Sequence, residues 1–139
     1  MPISAYEANK ILDHINGKTA YTMPAHLYLA AFVTDPSTGG SEVSGGGYAR
    51  VELDPADWGA AADGEAVLAG NVDFPAATGN WGTVSYLALF DAAEGGHILR
   101  CTALLDTTQA IGDGQTLRIP AGTGFVQTLG DLITGGSGS

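Results

Sequence analysis

Residues 83–90 read Thr-Val-Ser-Tyr-Leu-Ala-Leu-Phe. In an extended chain Val84, Tyr86, Ala88 and Phe90 fall on one face, and Thr83, Ser85, Leu87 and Leu89 on the other. Both faces are largely apolar toward Phe90, as expected of a central strand covered on two sides. Six more runs of the same kind predict strands at His26–Val33, Tyr48–Leu53, Ala66–Phe74, His97–Leu105, Thr116–Ile119 and Gly124–Leu129. Turn-forming groups separate them, among them Asp35-Pro36-Ser37-Thr38-Gly39-Gly40, Ala77-Thr78-Gly79-Asn80, Glu94-Gly95-Gly96 and Gly112-Asp113-Gly114. About seven short strands at this spacing predict a mainly β fold, an antiparallel β-sandwich of jelly-roll-like type.

A faint echo runs through the chain. Tyr28-Leu29-Ala30-Ala31-Phe32 resembles Tyr86-Leu87-Ala88-Leu89-Phe90, and an aspartate follows each, Asp35 and Asp91. The echo marks either two equivalent central strands in two packed sheets or coincidence in a chain rich in Ala and Leu.

Residues 1–18 depart from the strand pattern. Ser4-Ala5-Tyr6-Glu7 has capping-box form, in which the Ser4 hydroxyl accepts an amide proton and Glu7 reaches back. Ala8, Ile11, Leu12 and Ile15 then recur at three- and four-residue spacing, which gives an α-helix with one apolar stripe. Gly17 is placed to end it. So short a helix cannot bury its own stripe, so Ile11, Leu12 and Ile15 are expected to face the β domain or a neighbouring subunit. The expected organisation is this helix, a β domain over residues 19–130, and a flexible tail over 131–139, whose Gly135-Gly136-Ser137-Gly138-Ser139 end has linker composition.

The 139 residues carry 15 acidic and 5 basic side chains, a net charge of −10. That balance opposes a sequence-independent grip on nucleic acid, which needs Lys and Arg against phosphates, and docking on an anionic membrane. No apolar stretch reaches the roughly 18 residues of a membrane span, and the N-terminus does not have the form of a secretory signal. Cys101 is the single cysteine, so no intrachain disulfide forms, and it reads as a small core residue. Charged residues make up only 14% of the chain, against roughly 25% in an average globular protein. So few charges suit surfaces covered in an assembly, and a homo-oligomer or a stable complex with another protein is expected.

Residues able to carry chemistry are sparse. His14, His26 and His97 fall in no metal-ligand pattern and read as edge or surface histidines. His97 and Cys101, four residues apart on one strand, stand roughly 13 Å apart, too far for a nucleophile and its base. Asp54, Asp57, Asp63 and Glu65 share one loop without the EF-hand order and read as solvated acid groups. Gly45-Gly46-Gly47 lacks the lysine of a phosphate loop and reads as a tight turn into the next strand. No cofactor and no metal is expected. Trp58 and Trp81 read as packing residues, or, if the chain binds a host glycan, as stacking platforms.

Three segments together resemble the small phage and prophage proteins labelled tail fiber protein. They are Ser4–Gly17 running into Thr19-Ala20-Tyr21; residues 24–32 with Thr34-Asp35-Pro36 and residues 42–50; and residues 74–84 followed by Leu89-Phe90-Asp91-Ala92-Ala93. The likeness continues weakly through residues 112–118 and Ala121-Gly122. It departs at the end, where Leu129–Thr134 extends past the usual final strand. The resemblance implies a non-enzymatic structural component of a tailed-phage virion, at the tail fiber, tail tip or particle surface. Such a component is made in the bacterial host cytoplasm and acts by binding other virion proteins, and the resemblance implies a trimer as the favoured homo-oligomer. A head decoration protein and a host-glycan binding module are the alternative readings.

Overall fold

A computed structural model describes residues 3–103 and 108–128. The order is α1 (Ala5–Ile15), β1 (Leu27–Phe32), β2 (Val51–Leu53), β3 (Glu65–Val67), β4 (Val72–Asp73), β5 (Gly82–Val84), β6 (Tyr86–Phe90), β7 (Ile98–Ala103), β8 (Gln109–Ile111), β9 (Arg118–Ile119) and β10 (Val126–Thr128). The fold is mainly β with one N-terminal helix, as expected. The four-stranded sheet runs β2-β1-β6-β7, with every neighbour antiparallel. The pairs β3–β10, β4–β9 and β5–β8 form antiparallel two-stranded ribbons. The expected tail over residues 131–139, the Leu129–Thr134 extension and the final residues of the 97–105 run lie outside the described residues.

The two echoing segments are adjacent. β1 and β6 pair with Tyr28 opposite Phe90, Ala30 opposite Ala88 and Phe32 opposite Tyr86. They are therefore the central pair of one sheet, not equivalent strands of two. Two strands apolar on both faces bury most surface when each shields the other in mid-sheet. On one face Leu29, Ala31, Leu87 and Leu89 pack with Phe74, Val84, Ile111, Leu117, Ile119 and Phe125 from the ribbons and loops. On the other, Ala30, Phe32, Ala88, Phe90 and Cys101 form a second cluster.

The 83–90 run is two strands rather than one. β5 pairs with β8, β6 pairs with β1 and β7, and Ser85 lies between. The alternation changes phase there: Val84 joins the face of Leu87 and Leu89, away from Ala88 and Phe90. The Ser85 amide donates to Phe32 O, so the break leaves no unpaired donor. The 66–74 run also divides, into β3 and β4, with buried Leu68 between them. β8 escaped the pattern because Gln109 and Ala110 are exposed and Ile111 alone is buried.

At α1 the Glu7 amide donates to Ser4 Oγ at 3.1 Å, so the cap forms. The reciprocal half of the capping box does not. The Ser4 amide donates instead to Leu99 O, and the Glu7 side chain turns inward until only 1% is exposed. The helix docks on β7 through this carboxylate, not through its apolar stripe. Ala8 and Ile11 are half-buried, while Leu12 is 51% and Ile15 67% exposed. Among the described residues, then, Leu12 and Ile15 are not covered by the β domain. Gly17 ends the helix at φ +75°, as anticipated.

Candidate functional site

The exposed large hydrophobic residues in the described parts are Ile3, Tyr6, Leu12, Ile15 and Met23. All fall in residues 3–23, on the helix and its flanking segments, so the rest of the described surface is free of such groups. This concentration makes the N-terminal arm the candidate interaction surface, since exposed apolar patches mark contact sites.

The arm is held firmly. Arg100 on β7 brings Nε within 2.7 Å of Glu7 Oε1, and NH2 lies 3.5 Å from Glu7 Oε2. The close Nε approach lies off the N–H direction, so charge attraction holds the pair more than an aligned hydrogen bond. The Tyr21 hydroxyl donates to Glu7 Oε2 at 3.0 Å. Arg100 also donates to the Gln127 side chain on β10. Burial, then the bond to Glu7, raises the Tyr21 hydroxyl to about 12. Burial pulls the Arg100 guanidinium below its ordinary value, with the charge of Glu7 acting against it. Outside this core the Tyr6 ring stacks on His97, with centroids 3.9 Å apart, and Lys10 stands over the Tyr6 and Tyr21 rings.

A second constellation surrounds Arg50, beside a groove of about 530 Å³ lined by Val43, Tyr48, Arg50 and Glu94 among others. Arg50 Nε and NH2 donate to the two oxygens of Glu42, each at 2.8 Å. NH1 donates to Ala92 O and Gly95 O, and the guanidinium lies 3.6 Å from the Phe90 ring centroid. Tyr48 donates to Glu42 Oε2 at 2.6 Å and accepts from the Ala31 amide. Burial pushes the Glu42 carboxyl up, but the bonds from Arg50 and Tyr48 outweigh it and hold the group below the ordinary glutamate value. Burial and the bond to Glu42 push the Tyr48 hydroxyl well up. These donors are spent on the protein itself, so Arg50 is a structural fastener between the 42–50 loop and the β6–β7 turn.

The tryptophans are placed differently from a pair of sugar platforms. Trp81 is only 5% exposed, packed against Tyr48 and Phe74, with Nε1 donating to Gly46 O at 2.8 Å. An enclosed ring has no face to offer a sugar, so the stacking role fails for Trp81. Gly46 stands at φ +57°, where a Cβ would approach the Trp81 ring to 3.0 Å. The three glycines make a turn, as read from sequence, and that turn covers Trp81. Trp58 is half-buried, its ring edge-on to Phe125.

His14 Nδ1 accepts from the Tyr21 amide. His97 is exposed and pairs with Asp91 at 3.2 Å, whereas Cys101 is buried at 4%, and burial raises its thiol. The two therefore make no nucleophile and base. His26 lies 2.7 Å from Asp54 and 3.7 Å from Glu52. Neither the buried Glu7–Arg100 pair nor the Glu42–Arg50 pair is legible from residue spacing. An arginine in an apolar strand, such as Arg100 between Leu99 and Cys101, was the one available cue.

A family model described as podophage GP4 fiber I protein gp80 matches residues 2–127. No curated protein matches.

Proposed function

The chain belongs to the family of the podophage GP4 fiber I protein gp80, and from that premise we propose that it is a non-enzymatic structural part of a tailed-phage virion. The family match over residues 2–127 carries this reading. In it the chain sits at the fiber or tail tip and works by protein–protein assembly. The N-terminal arm supplies the contact, since Leu12 and Ile15 stand exposed and gain burial when another chain covers them. Covering an exposed leucine or isoleucine stabilises by roughly 1.5–3 kcal/mol at full burial. A second copy of the chain in a closed ring is the favoured neighbour, with three-fold symmetry the leading arrangement. Charge agrees with a restricted contact: at −10, copies repel one another unless an apolar patch draws them together.

The test is quantitative mass spectrometry of purified particles, with the tail fraction separated from heads. The expected result is the chain in the tail fraction at low copy number, in multiples of three. Hundreds of copies on isolated heads would make it a decoration protein. Absence from the particle would end the structural reading.

A further inference from the structure

We propose that His26, Glu52 and Asp54 form a binding site for a divalent transition-metal ion of the zinc class at the open end of the β1–β2 ladder. The ladder pairs Leu27 with Leu53 and Tyr28 with Glu52. One step beyond the Leu27–Leu53 pair, His26 meets Asp54, and Glu52 lies two residues along on the same face. One donor atom from each residue lies within 4.8 Å of the others. His26 Nδ1 is 2.7 Å from Asp54 Oδ1 and 3.7 Å from Glu52 Oε2. Ligands at roughly 2.0–2.2 Å from zinc stand about 3–3.5 Å apart, so small rotations of exposed side chains close the set. The Tyr28 hydroxyl donates to Glu52 Oε1 at 3.3 Å and leaves Oε2 toward the histidine, the kind of outer contact that orients a ligand.

Charge supplies an independent argument. Three other close carboxylates each pair with an arginine, Glu42 with Arg50, Asp73 with Arg118 and Glu7 with Arg100, while Asp91 pairs with His97. Here two carboxylates share a single histidine. Among the described residues neither forms an ion pair with Lys or Arg. A divalent cation neutralises both. One imidazole and two carboxylates suit zinc or manganese better than calcium, which wants six to eight oxygens. On binding, the metal takes the Nδ1 lone pair of a neutral imidazole whose proton sits on Nε2, so a proton held at Nδ1 moves to Nε2 or leaves to water. The remaining coordination positions open to solvent, where water or a donor from another molecule completes them. The site does not depend on the virion reading.

The experiment is titration of the full chain with zinc ion alone, by calorimetry, and with manganese ion, by paramagnetic broadening of backbone amide signals. One zinc equivalent is expected, with broadening centred on residues 26–28 and 52–54. His26→Ala is expected to lower zinc affinity at least about tenfold and Glu52→Gln to lower it less. His14→Ala and His97→Ala should leave it unchanged. All four positions lie at the surface or half-exposed edge, and circular dichroism checks that each variant folds. The proposal is overturned if no binding appears at millimolar zinc, if His26→Ala binds like the parent, or if broadening centres on His14 or His97.

Discussion

Arg100→Met removes the charge that faces Glu7 inside the protein. The Glu7 carboxylate is almost fully enclosed, and among the described residues its side-chain polar contacts are Arg100 and the Tyr21 hydroxyl. Without the guanidinium, one hydroxyl is left to support a buried negative charge. Breaking a buried pair from one side costs roughly 3–5 kcal/mol. Arg100 itself keeps 18% of its side chain exposed, so water reaches part of the gap and the lower end, about 3 kcal/mol, is the better figure. Urea denaturation reads this directly. For a chain of this size the slope is on the order of 1–3 kcal/mol per M, so the midpoint should fall by about 1.5 M at a middling slope. Amide exchange should also quicken across α1, because the helix loses its main tie to β7.

The control is Glu7→Gln combined with Arg100→Met. It removes both charges and keeps a carbonyl for Tyr21. Replacing a buried pair on both sides is often nearly neutral, so the double variant should return to within about 1 kcal/mol of the parent. The reasoning fails if Arg100→Met alone costs under about 1 kcal/mol. It fails equally if the double variant is as unstable as the two single losses summed, because an enclosed pair must show coupling.

Glu42 has a folded pKa below its ordinary value, set by Arg50 and Tyr48 against the upward push of burial. Its contribution is therefore present above the ordinary glutamate value and is lost as pH falls through the depressed one. Acid titration of stability should show that loss, and Glu42→Gln should flatten it. Trp81→Ala should cost roughly 3–5 kcal/mol as a large core deletion, read by thermal melting; a stable variant would reopen the platform role. Leu12→Asp and Ile15→Asp should change the stability of the isolated chain by no more than about 0.5 kcal/mol, as exposed positions do, while blocking incorporation into particles. Normal incorporation would show that the arm is not the contact. Cys101, buried with its thiol raised, should resist a thiol reagent until the chain unfolds, and rapid labelling of native protein would contradict its burial.

What could be read from the sequence was whatever repeats along it. The apolar residues on both faces of 86–90 mark a strand covered on two sides, residues 28–32 echo it, and the two segments are the central pair of the sheet. The cap at Ser4 and the end at Gly17 are local and were legible for the same reason. The break at Ser85 was not, because an extended chain can change phase at an ordinary residue once a neighbouring strand takes its amide. Glu7 shows the limit most clearly. Locally it is the last residue of a capping box, and a capping glutamate belongs on the surface. Its partner lies 93 residues away, and that contact outweighs the reciprocal cap because it neutralises a charge as well as satisfying an acceptor. Trp81 sits between Asn80 and Gly82 and reads as a loop residue, yet the glycine turn at 45–47 closes over it from 35 residues upstream. His26 joins Glu52 and Asp54 only through the β1–β2 register. The helix stripe lies between these cases. Its existence follows from spacing alone, but its covering does not, because Glu7 rather than Ile15 anchors the helix. A helix pinned by a buried charge on one face holds its apolar residues at fixed positions on another, and in the proposed assembly that rigidity would spare Leu12 and Ile15 the loss of freedom that a loose arm suffers on binding.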